Sequence, residues 1–137
     1  PTHMPEELSK EYNLEPWITA KQAIGDLEDD TKRESLPNPG YSRAKKNKGQ
    51  GNNRIKADAP SPTIRSEHHG NIEYHYSLDR RLSAREAARL QSFPDDFVFT
   101  ASTSDAYKLI GNAVPPVLAH RIAKEVERFL TLVSQNQ

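Results

Sequence analysis

Residues 81–94 read Arg-Leu-Ser-Ala-Arg-Glu-Ala-Ala-Arg-Leu-Gln-Ser-Phe-Pro, and this run organises the C-terminal half of the chain. Ser83 followed three residues later by Glu86 is a capping-box pattern. In it, each side chain bonds to a backbone N–H group that has no partner inside the helix. The run therefore predicts a helix that extends to about Gln91 and ends before Pro94.

A second run, Tyr-Lys-Leu-Ile-Gly-Asn-Ala-Val-Pro-Pro, occupies residues 107–116. We expect a short helix from Ser104 to Ile110, with Gly111 as its C-terminal stop. The two prolines then open the longest helix, whose apolar residues recur at helical spacing. These residues are Leu118, Ile122, Val126, Phe129, Leu130 and Val133. Such a stripe needs an apolar surface to lie against, and the rest of the chain offers little.

The N-terminal part predicts one further helix. Thr19 and Gln22 form another capping-box pattern, and apolar side chains follow as far as Leu27. Asp29 and Asp30 end that apolar pattern. We therefore expect a short amphipathic helix of two turns.

The middle of the chain predicts loops and one hairpin. Residues 34–60 show no helical or strand period and are rich in proline, glycine and asparagine, which favours a loop. Residues 72–76 alternate and contain aromatic side chains, a strand signal. We expect a hairpin formed by residues 62–66 and 72–76, with a turn at residues 68–71.

The composition of the chain excludes several kinds of site and of cellular location. The 137 residues include no cysteine, which excludes disulfides, cysteine metal sites and thiol catalysis within this chain. No apolar run is long enough for a bilayer and no signal peptide is visible, so a cytoplasmic location and no membrane partner are expected. Because the chain starts with proline and Met4 is its only methionine, we expect an excised or processed piece.

The formal net charge of zero conceals a basic segment. Residues 35–57 carry six bases and no acid, whereas residues 1–34 carry nine acids and four bases. Lysine and arginine suit DNA phosphates, and arginine and asparagine suit base edges. On composition alone, a solvated charged loop is the commoner explanation of such a segment.

The runs at residues 81–94 and 107–116 resemble the ninth and tenth motifs of the DNA (cytosine-5) methyltransferases, and the resemblance covers about residues 59–130. In that family the ninth motif supports the target-recognition domain. The Gly-Asn-(Ser/Ala)-Val core of the tenth borders the S-adenosylmethionine pocket. The resemblance implies S-adenosyl-L-methionine as cofactor, with contacts from Tyr107, Asn112, Ala113 and Val114.

The resemblance also implies contacts to duplex DNA. Thr63 matches the threonine of a Thr-Leu pair that grips the phosphodiester beside the flipped cytosine, with Ile64 in place of leucine, and Arg65 follows it. The basic loop of residues 35–57 falls where the family keeps its sequence-reading loops. Its candidate DNA contacts are Arg43, Lys45, Lys46, Lys48, Arg54 and Lys56.

The Pro-Cys nucleophile, the Phe-x-Gly-x-Gly loop, the Glu-Asn-Val segment and the Gln-x-Arg-x-Arg motif of that family are not in this sequence. The reaction needs a thiolate that attacks cytosine C6 before the methyl group reaches C5. The resemblance therefore implies a recognition part of such an enzyme, inactive alone and without a catalytic residue of its own. An N-terminal catalytic domain, or a separate subunit, would carry the Pro-Cys motif. The alternative is a non-catalytic DNA-binding or regulatory remnant.

The expected fold class is α+β. A target-recognition region of short strands and loops at residues 1–80 would precede a helical region at residues 81–137. Together they would complete the α/β fold of an S-adenosylmethionine-dependent methyltransferase, as the resemblance implies. His68, His69 and His75 do not have the spacing of a zinc site, and we expect no metal.

Overall fold

The structure is a computed structural model that describes residues 3–45, 52–66 and 71–135. It is a mixture of helices with a few short strands. The helices are α1 (Glu6–Ser9), α2 (Ala20–Ile24), α3 (Asp30–Ser35), α4 (Ala84–Leu90), α5 (Thr103–Asn112) and α6 (Pro116–Gln135), and a 3₁₀ turn covers Gly25–Glu28. The strands β1 (His3–Met4) and β2 (Glu15–Pro16) pair in parallel.

Both predicted capping boxes are confirmed. At the start of α4, the Glu86 backbone N–H donates to Ser83 Oγ (3.1 Å), and the Ser83 N–H donates to the Glu86 carboxylate (2.7 Å). At the start of α2, Thr19 and Gln22 make the same reciprocal pair of bonds. The chain then continues through the 3₁₀ turn, so the helical segment has the predicted length but not a uniform geometry.

Helix α3 is not among the predicted helices. The first helical segment ends at Glu28, next to the predicted end of its apolar pattern at Asp29 and Asp30. Asp29 also caps α3, because its carboxylate accepts a hydrogen bond from the Thr31 N–H at 2.8 Å. An aspartate before a short polar helix can both follow one helix and begin the next. The irregular segment therefore starts at Leu36 rather than at residue 34.

The predicted hairpin between residues 62–66 and 72–76 is wrong. The backbone of Tyr74 bonds instead to the C-terminal part of the basic segment. Its N–H donates to the Asn53 carbonyl, and its carbonyl accepts from the Ile55 N–H. On its other edge, Leu82 donates to the carbonyl of Glu73. The alternation of residues 72–76 correctly indicates an extended segment. It does not indicate which distant residues that segment pairs with.

Helix α5 also ends later than predicted, at Asn112 instead of Ile110. Gly111 is inside the helix, so its predicted role as a C-terminal stop is wrong. The structure instead places this glycine against the backbone of Arg65 and Ser66.

Helix α4 lies at the centre of the core, between α2 and α5. The eight residues 81–88 are all buried. Apolar side chains from the helices and from the irregular segments surround α4. The buried cluster consists of Ala20, Ile24, Ile55, Ile64, Ile72, Leu82, Ala84, Ala87, Ala88, Phe99, Ala106, Tyr107 and Ile110.

The predicted apolar stripe of α6 is not covered by the described part of this chain. None of the α6 residues is buried, and the six stripe side chains are 42–64% exposed. Arg121 of α6 forms an ion pair with Glu15 of β2. Among the described residues, no helix has both the length and the apolar character that crossing a membrane requires.

Candidate functional site

The junction between α5 and α6 carries three of the four predicted cofactor contacts. Asn112 and Val114 are exposed and Ala113 is half-buried. Two side chains at the end of α4 hold this junction in place. Gln91 donates to the carbonyl of Ile110 (3.1 Å), and Ser92 Oγ accepts from the Val117 N–H (3.1 Å).

Gly111 brings this junction against the segment that contains Thr63. A Cβ atom on Gly111 would collide with the backbone of Arg65 and Ser66. Only glycine permits this approach, because the clashing atoms are backbone and cannot rotate away. The predicted cofactor segment and the predicted phosphate-binding segment are therefore in direct contact, although they are far apart in sequence.

Thr63 itself is exposed and lines a cleft of about 350 Å³. The cleft wall combines apolar side chains with a few polar ones. Its lining consists of Ile18, Ala23, Pro60, Ser61, Pro62, Thr63, Ile64, Arg89, Leu90, Gln91 and Ser92. Arg65, two residues further on, is also exposed.

Tyr107 is fully buried, unlike the other predicted cofactor residues. Its hydroxyl donates to the carbonyl of Leu82 (2.7 Å) and accepts from the Ser42 N–H (3.2 Å). Burial raises the pKa of the Tyr107 phenol, so the neutral hydroxyl is retained. The structure therefore gives Tyr107 a place in the core, joining α5 to the start of α4 and to the basic segment.

The described cations of the basic segment lie at the surface, whereas Ser42, Asn52 and Ile55 of the same segment are buried. Arg43, Lys45 and Lys56 are exposed, while Lys46 and Lys48 lie outside the described residues. Arg54 is partly engaged within the chain, since one guanidinium nitrogen donates to the carbonyls of His75 and Leu78, each at 2.7 Å.

A buried polar cluster lies beneath these surfaces. Glu86 is fully buried and accepts a two-pronged bond from Arg80, with both N–O distances at 2.8 Å. His75, also fully buried, has its Nε2 3.8 Å from the same carboxylate. Burial lowers the pKa of His75, which favours the neutral ring.

Two further arginines, Arg81 and Arg85, are also buried. Arg85 donates to the carbonyls of Pro37, Pro94 and Phe97. Arg81 donates to the backbone carbonyls of Ala44, Lys45 and Ile72 and to the side-chain oxygen of Asn52. Neither is predicted as an interior residue. Arg85 and Arg89 share one side of α4, whereas Arg81 precedes the N-cap residue Ser83. Arginine is a residue type that is mostly exposed, so the sequence alone does not indicate that these two are buried.

A family model described as C-5 cytosine-specific DNA methylase matches residues 4–128 of this chain. A type II methyltransferase of Neisseria gonorrhoeae is 35% identical over 150 aligned positions, covering 92% of this chain and 39% of that protein. A type II methyltransferase of Arthrospira platensis is 59% identical over 51 residues, 37% of this chain and 15% of the relative. Another, of Haemophilus parahaemolyticus, is 50% identical over 58 residues, 42% of this chain and 16% of the relative.

The chain therefore belongs to the C-5 cytosine-specific DNA methylase family. It spans between 15% and 39% of the length of these three relatives. The family resemblance drawn from the motifs at residues 81–94 and 107–116 is confirmed.

Proposed function

We propose that this chain is the C-terminal recognition part of a DNA cytosine-5 methyltransferase, which binds duplex DNA and closes the S-adenosyl-L-methionine site. The contact of Gly111 with the backbone of Arg65 and Ser66 carries this proposal. It joins the segment that would grip DNA to the segment that would border the cofactor, so one rigid unit can serve both sites.

The residues at the α5–α6 junction fit one border of a cofactor site. The Asn112 side chain is exposed, and an amide can both donate and accept hydrogen bonds. Val114, 60% exposed, adds an apolar contact, and Ala113 lies between them. When bound, the cofactor would supply the methyl group. Tyr107 would support this border from the core rather than touch the ligand.

The DNA-facing surface would combine the exposed residues Thr63 and Arg65 with the basic segment. Thr63 has a hydroxyl for a phosphate oxygen, and the cations supply the sequence-independent part of DNA affinity. Arg43, Lys45, Lys46, Lys48, Arg54 and Lys56 are the proposed cations, of which Arg54 would act with the part of its guanidinium that stays exposed.

The attacking thiolate would come from outside this chain, which has no cysteine. The other half would be an N-terminal catalytic domain of the same polypeptide or a separate subunit with a Pro-Cys motif. The bare apolar stripe of α6 supports this, because it is a surface that folding of this chain alone leaves in water. Residues 1–80 would form the recognition region and residues 81–137 the part that returns to the catalytic domain.

Complementation tests the proposal. The purified chain is mixed with a catalytic half from a relative that carries the Pro-Cys motif, and transfer of a labelled methyl group to duplex DNA is measured. Activity that requires both components is the expected result. DNA binding without activity in any mixture, and without response to S-adenosylmethionine, would instead indicate a non-catalytic remnant.

A further inference from the structure

Helix α4 ends in a turn that favours glycine but contains serine. The N–H of Ser92 donates to the carbonyl of Arg89 (2.8 Å), and the next N–H, of Phe93, donates to the carbonyl of Ala88 (2.9 Å). This pair of bonds is a Schellman motif, in which the residue after the C-cap takes a left-handed conformation and is usually glycine. Here that residue is Ser92, with a φ of 62°. A side chain in this conformation destabilises the fold relative to glycine.

The Ser92 hydroxyl makes a bond that glycine could not make. Its Oγ accepts a hydrogen bond from the N–H of Val117 in the first turn of α6 (3.1 Å). Pro115 and Pro116 precede Val117, and a proline has neither a backbone N–H nor a side-chain oxygen for capping. Val117 therefore carries the first N–H group of α6, and a serine 25 positions away in the sequence caps it.

Gln91, the residue before Ser92, holds the other side of the same junction. Its Nε2 donates to the carbonyl of Ile110 near the C-terminal end of α5 (3.1 Å). The proposed cofactor contacts at residues 112–114 lie between Ile110 and Val117. Two consecutive residues at the end of α4 therefore bond on both sides of those contacts.

We infer that Ser92 is a positioning residue for S-adenosylmethionine binding, which rests on the function proposed above. Its hydroxyl fixes where residues 112–114 lie relative to α4, so this border is in place before the cofactor binds. A segment that is already ordered loses less conformational entropy when its ligand arrives. Glycine at position 92 would relieve the left-handed strain but would release Val117, and with it one side of the border.

Two substitutions of Ser92 separate cofactor binding from stability. Ser92→Gly removes the hydroxyl and relieves the strain, whereas Ser92→Ala removes the hydroxyl and keeps the strain. Both lose the bond to Val117, so both should weaken cofactor binding to the same extent. Only Ser92→Ala should destabilise the isolated chain. A merely structural role would instead make cofactor binding follow stability.

Ser102 provides a matched control at the opposite end of α5. It is an exposed serine whose Oγ caps the start of that helix by accepting from the Asp105 N–H (3.2 Å). Ser102→Gly thus removes the same kind of bond away from the junction. Gln91→Glu tests the other side of the border, because it keeps the size of the side chain but removes the donor to Ile110.

The experiment uses the complex of this chain with a catalytic half that carries the Pro-Cys motif. Sedimentation first verifies that each variant assembles. Titration calorimetry then gives the dissociation constant for S-adenosylmethionine, and urea unfolding of the isolated chain gives the midpoint. Asn112→Ala serves as the reference for a direct cofactor contact.

The expected result is that Ser92→Gly and Ser92→Ala each raise the dissociation constant about fivefold, the scale of one lost hydrogen bond. Gln91→Glu should raise it as well, and Ser102→Gly should keep the wild-type value. The urea midpoint of Ser92→Gly should stay close to that of the wild-type chain, because strain relief offsets the lost bond. The midpoint of Ser92→Ala should fall.

A wild-type dissociation constant in Ser92→Gly would overturn the inference, as would an equal rise in Ser102→Gly. If Asn112→Ala still weakens cofactor binding in that case, the proposed function stands. A Ser92→Gly chain that no longer assembles would also overturn the inference, because Ser92 would then serve the interface instead of the border. A wild-type complex that binds no S-adenosylmethionine would contradict the proposed function as well.

Discussion

His75 is held in one tautomer by its surroundings. Its Nδ1 accepts hydrogen bonds from the backbone N–H groups of Ser77 (3.2 Å) and Leu78 (3.3 Å). Nδ1 is therefore unprotonated, and in the neutral ring the proton is on Nε2, which lies towards Glu86. A second proton would have to enter at Nδ1, opposite two donors, and would disturb the turn to which Arg54 is bonded.

We predict that His75 makes the stability of the chain fall in mild acid. Burial lowers the pKa of His75 from 6.5, so the unfolded chain binds more protons than the folded chain below that pH. The free energy of unfolding should therefore fall as the pH decreases from about 7 to about 5. His75→Asn should flatten this dependence, because the amide oxygen can accept the same two bonds without titrating. Urea unfolding at a series of pH values measures the effect.

The control is His120→Asn, on the exposed surface of α6. It should retain the pH dependence of the wild-type chain. An unchanged pH dependence in His75→Asn would show that other groups cause the loss of stability.

Gly111 gives the second prediction for a single residue. Gly111→Ala should lower the free energy of unfolding by about 1–3 kcal/mol, since the added methyl group meets the backbone of Arg65 and Ser66. Gly25→Ala is the control, because a Cβ there meets its nearest atoms at an ordinary 3.4 Å. Denaturant unfolding of both variants compares them. Equal stabilities would show that the Arg65–Ser66 backbone moves away freely.

Among the elements, α4 depends on its N-terminal cap more than α2 does. Ser83 is fully buried, whereas Thr19 is partly exposed to water. Water can replace a lost cap at an exposed helix end, but a buried N–H group remains without a partner. The two capping boxes are equal as sequence patterns but therefore differ in their contribution to the free energy of unfolding.

We predict that Ser83→Ala lowers the free energy of unfolding by about 2 kcal/mol and Thr19→Ala by about 1 kcal/mol or less. Denaturant unfolding of the two variants under the same conditions measures the difference. A larger loss for Thr19→Ala would contradict the role given to burial.

The basic segment gives a prediction for DNA binding. Replacing Lys45, Lys46 and Lys48 with glutamine should flatten the plot of log affinity against log salt by roughly 0.9 for each phosphate that these lysines no longer neutralise. Replacing Lys124 and Lys108, which are exposed outside the segment, is the control. Binding to one duplex at several salt concentrations measures the slope. An unchanged slope would count against DNA binding by these lysines.

At the scale of the whole molecule, the exposed stripe of α6 allows assembly with another chain to be tested separately from folding. Val126 is 53% exposed, so a charge at this position does not disturb the core of this chain. The same charge would enter any apolar interface that covers the stripe, where an unpaired carboxylate is costly.

We predict that Val126→Asp leaves the thermal unfolding of the isolated chain unchanged and prevents its assembly with the catalytic half. Lys124→Asp introduces the same residue on the polar side of α6 and should assemble normally. Sedimentation of the mixed components measures assembly. Normal assembly of Val126→Asp would mean that the stripe is not the interface.

Sequence patterns predicted the features that depend on neighbouring residues. The caps at Thr19 and Ser83, the helices that follow them and the apolar stripe of α6 all arise from contacts within a few positions. The family motifs at residues 81–94 and 107–116 are also continuous in sequence. These features follow from the chain because the interacting groups are separated by no more than a helical turn or two.

The tertiary structure alone decided the contacts that join distant positions. Tyr74 pairs with residues 53–55 and 81 instead of 62–66, Gly111 lies against Arg65, and Arg81 reaches both Lys45 and Asn52. Each contact depends on how α4 is packed between α2 and α5. The neighbouring sequence of a glycine or an arginine is the same whether that residue lies in solvent or in a core. Only the tertiary structure therefore shows which groups each one contacts.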